Sequence, residues 1–227
     1  QTQFGTKKLL DGSNGVTGTV TSGTVTFLAG TGATTAGTYD VVVSTQAEQA
    51  TFTTTNSAAI TGITADETLT LTNDSTSVSV TVNLEAGDNR QTIIDKINAY
   101  SDDTQIVATA GGANNITLTS SVYGRSGDFT VVSSLEAVDG TQSGFADGAG
   151  NSDDGVNIAG TFNVGATAYQ ADGLGAILSG RAGSVVEGLR VQTTAAAGTA
   201  GTVTVANNSL VFQVGANAGQ QVSLSIS

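Results

Sequence analysis

The side chains best suited to chemistry in this sequence are carboxylates, and two adjacent pairs stand out, Asp102-Asp103 and Asp153-Asp154. Acid–base catalysis by two carboxyl groups needs them facing each other across a substrate, about 5 to 9 Å apart. Sequence neighbours point apart, so both pairs are expected to be solvated loop charge. Asp147, Asn151, Asp153 and Asp154 surround Gly148 and Gly150, and such hard oxygen donors could ligate Ca²⁺. The EF-hand spacing fails, because Ala149 occupies the third position and no bidentate Glu closes the loop. A flexible acidic loop is the expectation there. Asp11-Gly12-Ser13-Asn14-Gly15 reads as a tight turn. The chain has no His and no Cys, so the usual nucleophile–base dyads, thiolate chemistry and the commonest metal ligand are all missing. No catalytic, cofactor-binding or metal-ligating residue is assigned, and no enzymatic activity is expected.

Thr68, Thr70 and Thr72 form a different kind of candidate, a hydroxyl stripe on one strand face. Such a stripe could order water or carry O-linked sugar, but the solvent face of an edge strand is the simpler expectation. Ile93, Ile94, Ile97 and Tyr100 lie on one helical stripe, expected to be the core face of a helix packed on its own sheet. Asp88 is the expected N-cap of that helix, with Gln91 completing a capping box.

Around these residues the dominant pattern is period-two alternation. Thr68–Thr72 and Val78–Leu84 flank Asn73-Asp74-Ser75 as a hairpin would, and further alternation follows at Ile116-Leu118, Thr130-Val132 and Val203-Val205. With strands on both sides of the 88–100 segment, that part reads β-β-α-β-β. A second, short helix is expected within 183–188. The fold class is mainly β with minor α. Ser134–Gly155, poor in large apolar residues, suits a surface loop or a division between globular parts near residue 135.

A net charge of −12, with the seven basic residues scattered, opposes nucleic acid and anionic membrane as partners, since both need a basic patch. No apolar run reaches the roughly 20 residues of a membrane span. With no Met at any position, the sequence is expected to be a piece of a longer product.

Both ends carry a resemblance. Gln1–Ser13, with KKLLDG, resembles the flagellin stretch that follows the N-terminal rod helices, and 211–220, with QVGANAGQ, resembles the flagellin inner-rod β-hairpin. Residues 68–134, with NLEAGDNRQTIIDKINAY, ITLTSS and YGRSGDFTV, are similar to the "IN" motif of flagellins and hook-associated proteins. GTYDVVVSTQAEQA and GVNIAGTFN look like stretches of the filament-cap protein. The resemblance implies a stub formed by residues 1–15 and 208–227. An outer domain would follow at 16–134, and a second β-rich outer domain or subdomain at 135–207. It further implies an extracellular structural component of the bacterial flagellar filament whose partners are other flagellin subunits, with the isolated piece monomeric. Exposed hydroxyls leave O-glycosylation open without identifying a site. An adhesin-like module that recognises a glycan or a surface is the alternative, because composition does not separate the two.

Overall fold

Alternation of Val, Leu and Ile with Thr and Ser leaves a strand one dry face and one wet face, and this chain repeats that device from end to end. The computed structural model describes residues 3–4, 7–8, 15–112, 114–148, 151–208, 210–213 and 221–224. In chain order the strands are β1 (Gln3–Phe4), β2 (Lys7–Lys8), β3 (Val16–Val20), β4 (Val25–Ala29), β5 (Gly37–Thr45), β6 (Gln49–Thr53), β7 (Glu67–Asn73) and β8 (Val78–Leu84). Helices α1 (Arg90–Asn98) and α2 (Ser101–Thr104) come next, followed by β9 (Ile106–Ala110), β10 (Ile116–Tyr123), β11 (Phe129–Ser133) and β12 (Asn151–Asp153). The remainder is β13 (Ala159–Val164), β14 (Thr167–Leu174), β15 (Ile177–Gly180), β16 (Arg190–Thr193), β17 (Gly198–Asn207), β18 (Leu210–Gln213) and β19 (Gln221–Leu224). The chain is mainly β with minor α, as the alternation predicts.

Two compact units result: unit 1 is residues 1–46 with 158–227, and unit 2 is residues 47–157. The division expected near residue 135 falls inside unit 2. There the Thr68 and Ser134 backbones are tied by Ser134 N–H to Thr68 O (2.9 Å) and by Thr68 N–H to Ser134 Oγ (2.9 Å).

Unit 1 is built on an eight-stranded antiparallel sheet in the order β3-β17-β5-β13-β14-β15-β16-β4. Its edge strands, β3 and β4, are consecutive in sequence and joined by a tight turn in which Val25 N–H donates to Ser22 O. The sheet therefore curls until the edges meet, with the Phe27 ring against Gly18. Tyr39, Val41, Phe162, Leu178, Val191 and Val203 are buried. Gly173 allows β14 to cross closely over the Ile158 carbonyl, where a Cβ would collide with the oxygen. Val16 pairs with Asn207, and Asn208 N–H donates to Gly15 O at 3.0 Å, so residues 15 and 208 are neighbours. Beyond them, β18 and β19 form an antiparallel hairpin with Phe212 opposite Val222. The 214–220 turn of QVGANAGQ and most of KKLLDG lie outside the described residues. So does the expected Asp11–Gly15 turn, except for Gly15. The short helix expected within 183–188 is absent; a series of turns occupies that stretch.

In unit 2 the β-β-α-β-β reading matches the element order, but its strands do not share one sheet. The first pair joins β12-β11-β7-β8 and the second joins β6-β10-β9. Helix α1 buries Ile93, Ile94 and Ile97 in the single core both sheets share, with Leu69, Leu71, Ile116, Leu118 and Phe129. Tyr100, expected on the same stripe, lies past the helix end and is 37% exposed. The N-cap is Asn89, not Asp88: its Oδ1 accepts from Thr92 N–H at 3.0 Å. Asp88 Oδ2 instead accepts from Glu85 N–H (2.9 Å) and pairs with the Lys96 ammonium at 2.7 Å. Burial pushes the Asp88 carboxyl up, but the Lys96 contact and the Glu85 hydrogen bond outweigh it and leave the group below the usual carboxylate range.

The segment after β11 is not a free loop. Phe145 is fully buried and stacks beside Phe52, with ring centroids 6.1 Å apart. Glu67, on the inward parity of β7 and 1% exposed, accepts from Ser133 Oγ (2.7 Å), Ser143 N–H (3.0 Å) and Ser143 Oγ. Asp139 accepts from Ala58 N–H (2.8 Å) and from the Ser57 hydroxyl. Those two bonds hold its carboxyl below the usual range.

Two stability predictions follow from these contacts. Replacing Glu67 with Gln places an N–H₂ against donors that now find an acceptor. The loss should be about 1–3 kcal/mol in urea unfolding, the cost of stranding buried polar groups. Asp88→Asn should destabilise by about 1 kcal/mol at neutral pH. A depressed carboxyl stabilises the fold above the ordinary carboxylate range and loses that contribution as pH falls through its folded value. The gap between Asp88→Asn and the parent should therefore close in acid, read as converging melting temperatures.

Candidate functional site

Each acid singled out in the sequence has a local structural partner or faces water. Asp102 and Asp103 are exposed in the first turn of α2. Asp153 accepts from Thr51 N–H at 2.6 Å, while Asp154 is exposed. The group around Gly148 is split: Asp147 is exposed, and the Asn151 side chain is buried. Asn151 donates to Val131 O (2.9 Å) and Ala146 O (2.7 Å) and accepts from Ala146 N–H (3.1 Å). Ala149 and Gly150 lie outside the described residues. Among the described residues, no three His, Cys, Asp or Glu side chains are placed to hold a metal ion. No described helix is long and apolar enough to cross a membrane.

A further acidic neighbourhood surrounds Asp128, which sequence reasoning did not single out. Burial raises its carboxyl most; Gly155 N–H, donating at 2.7 Å, lowers it, and Asp154 and Asp74 push it up again. The net effect is upward. Arg125 also lowers the carboxyl, whose hydrogen-bond donor is the backbone N–H of Gly155. One shallow concavity of about 280 Å³ is lined by Asp66, Glu67, Thr68, Asn83, Leu84 and Glu85; another of about 310 Å³ is lined by Thr55, Asn56, Ser57 and Asn115. Of the acids of the first, Asp66 accepts from Ala86 N–H (2.9 Å) and Glu67 from Ser133 and Ser143, while Glu85 is exposed. Amides and hydroxyls make up the second. Neither concavity brings together a nucleophile and a base.

What the topology does gather is hydroxyls. The Thr68, Thr70 and Thr72 stripe sits on β7, an interior strand between β8 and β11 rather than the edge strand expected. Thr72 is opposite Ser79 on one side and Thr130 on the other, and its Oγ1 lies 3.1 Å from Ser79 Oγ. On the second sheet of unit 2, Thr117 stands between Thr53 and Thr109, with 3.0 Å between the Thr53 and Thr117 hydroxyls. Unit 1 repeats the arrangement: Thr204 lies between Thr19 and Thr38, and the Thr38 and Thr204 hydroxyls are 2.9 Å apart. Cross-strand pairs of this kind satisfy each other while leaving an uncharged, hydrogen-bonding outer face. The most regular polar feature of the described residues is thus a set of hydroxyl-lined sheet faces.

The sequence matches no family model and no curated protein. Solved structures give a consistent likeness. The D2-D3 domains of the flagellar cap protein FliD from Escherichia coli align over 85% of this chain and 98% of their own, at 18% identity and a TM-score of 0.56. The longer D1-D2-D3 structure of the same protein aligns over 84% of this chain but only 55% of its own length, at 19% identity and a TM-score of 0.54. FliD (HAP2) from Pseudomonas aeruginosa PAO1 aligns over 94% of this chain and 84% of its own, at 16% identity and a TM-score of 0.50. At such identities the likeness is one of fold: this chain shares the mainly β architecture of the D2-D3 domains of flagellar cap proteins.

Proposed function

We propose that this chain is a non-catalytic structural part of the bacterial flagellum, the outer portion of a filament subunit. The observation that carries the reading is the fold likeness to the D2-D3 domains of a flagellar cap protein over 85% of the chain, coupled to flagellin-like motifs at both ends. The likeness supplies the flagellar context. The KKLLDG and QVGANAGQ motifs favour a filament subunit over a cap, and the 15–208 neighbourhood lets the outer residues leave and rejoin one place. Hydroxyl-faced sheets suit that task, because they provide solvated bulk and hydrogen-bonding surface without a reaction centre. On this reading the protein acts outside the cell, with other subunits of the filament as its partners.

The fold likeness also favours a second reading, in which the chain belongs to a cap protein. Immunogold electron microscopy with antibody against this chain, on cells that produce it, separates the two. Label along the filament is the expected result. Label confined to the tip would replace the filament reading with the cap reading, and label elsewhere on the cell would sink both in favour of an adhesin-like surface module.

A further inference from the structure

Three loops of unit 2 converge at the concavity lined by Thr55, Asn56, Ser57 and Asn115, about 310 Å³ in volume. They are the chain after β6, the turn between β9 and β10, and the segment after β11, and side chains knit them together. Asn115 Oδ1 accepts from Asn56 N–H (2.6 Å), Asn114 Nδ2 donates to Ser57 O (2.9 Å), and the Ser57 hydroxyl donates to Asp139. Asp139 also accepts from Ala58 N–H (2.8 Å), so each of its oxygens already has a donor. Gly144 lies against the Asn56 amide, where a Cβ would overlap both Nδ2 and Oδ1, and its φ of +87° suits glycine.

This network holds the walls and leaves polar atoms over. Asn56 is 5% exposed, and its Nδ2 donates to Thr54 Oγ1 at 3.2 Å, but its Oδ1 accepts from no described residue. An amide oxygen that deep is costly without a donor. Asn115 uses its Oδ1 within the protein, while its Nδ2 donates to no described residue. Thr55 adds an exposed hydroxyl, able to donate and to accept. The concavity therefore offers an acceptor, a donor and a hydroxyl that is both. Its volume is near the lower end of the roughly 300–1,000 Å³ of small-molecule sites.

The lining selects a ligand class by exclusion. No Lys or Arg lines it, so nothing there favours a phosphate or a carboxylate. The nearby carboxylate is already occupied by donors, so nothing calls for a cation. No large apolar side chain lines it to hold an apolar molecule. The match is a compact neutral molecule whose adjacent groups each donate and accept, which is the chemistry of vicinal sugar hydroxyls.

We propose that this concavity binds a neutral hexopyranose, with Asn56 Oδ1 accepting from one hydroxyl, Asn115 Nδ2 donating to its neighbour, and Thr55 contributing at the rim. The site belongs to unit 2 alone and goes beyond the structural role proposed above. No aromatic ring lines it for stacking, so binding is weak, in the millimolar range, and selectivity comes from the penalty for leaving the amides unmatched.

Nuclear magnetic resonance titration of the isotope-labelled full chain with methyl glucopyranoside, methyl galactopyranoside and methyl mannopyranoside tests it. At least one should saturably shift the Asn56 and Asn115 side-chain amides and the backbone amides of 54–58 and 114–116, with unit 1 unmoved. Inorganic phosphate should shift none of them. Asn115→Asp keeps an oxygen to accept from Asn56 N–H and removes the free donor. It should weaken the sugar about tenfold with the circular dichroism spectrum unchanged. Thr55→Val should weaken it severalfold, and Thr81→Val, at an exposed position of β8, should not. No saturable response to any of the glycosides, an equal response in Asn115→Asp, or saturable binding of phosphate at these residues would each overturn the proposal. Antibody label away from the flagellum would remove the proposed function and leave this binding result standing, so the two failures are distinguishable.

Discussion

The antiparallel pairing of β5 with β13 is the constraint on which the rest of the architecture depends. Val42 faces Thr161, Val41 faces Phe162, and Thr45 faces Ala159, so the chain leaves unit 1 on one strand and returns on its neighbour. Everything between residues 47 and 157 is spent before that pairing can close. The loop-closure cost grows only with the logarithm of the intervening length, so a folded unit can be accommodated there once it supplies its own core. Unit 2 does so with one cluster of aliphatic side chains plus Phe129 and Phe145. In the same way β17 pairs on both sides, with β5 and with β3, and fastens the late part of the chain to its beginning.

The sequence contains no Cys, so neither unit has a disulfide to lean on, and among the described residues no three His, Cys, Asp or Glu are placed to hold a metal ion. Stability has to come from strand parity, from cross-strand hydroxyl pairs, and from a few buried polar anchors. Glu67 illustrates the last. A carboxyl group this deep is tolerated because serine hydroxyls and a backbone N–H surround it, and those donors fix the path of the segment after β11. Asn151 has a comparable role, with three hydrogen bonds that hold Ala146 and Val131 beside it.

Much of this was legible in the sequence where the signal is local. The alternation at Thr68–Thr72 and Val78–Leu84 gives β7 and β8, and Ile93, Ile94 and Ile97 give the buried face of α1. The helix cap falls one residue later than expected because Asp88 and Asn89 are both good N-caps, and Asp88 is engaged by the Glu85 N–H and the Lys96 ammonium while Asn89 accepts from Thr92 N–H. Sheet membership was not legible: partners such as β6 for β10 and β11 for β7 are far apart in sequence, and alternation says nothing about which edges meet. The 134–155 segment looked like a boundary because it is rich in Gly, Ser and Asp. Two signals pointed the other way. Phe145 is a lone aromatic within it, and Glu67 shares its strand parity with Leu69 and Leu71, which marks a polar group facing inward in need of donors. The hydroxyl stripes were visible one strand at a time, but their assembly into faces depends on register.

Because Thr45 and Ala159 are already neighbours, unit 1 experiences residues 47–157 much as it would a hairpin turn. Residues 47–157 leave and rejoin unit 1 at the adjacent strands β5 and β13. The strands of unit 1 are bound by eight-stranded register, while the inserted unit is organised around a core of its own. For protein engineering the same pair of residues marks a permissive splice site for displaying a foreign domain.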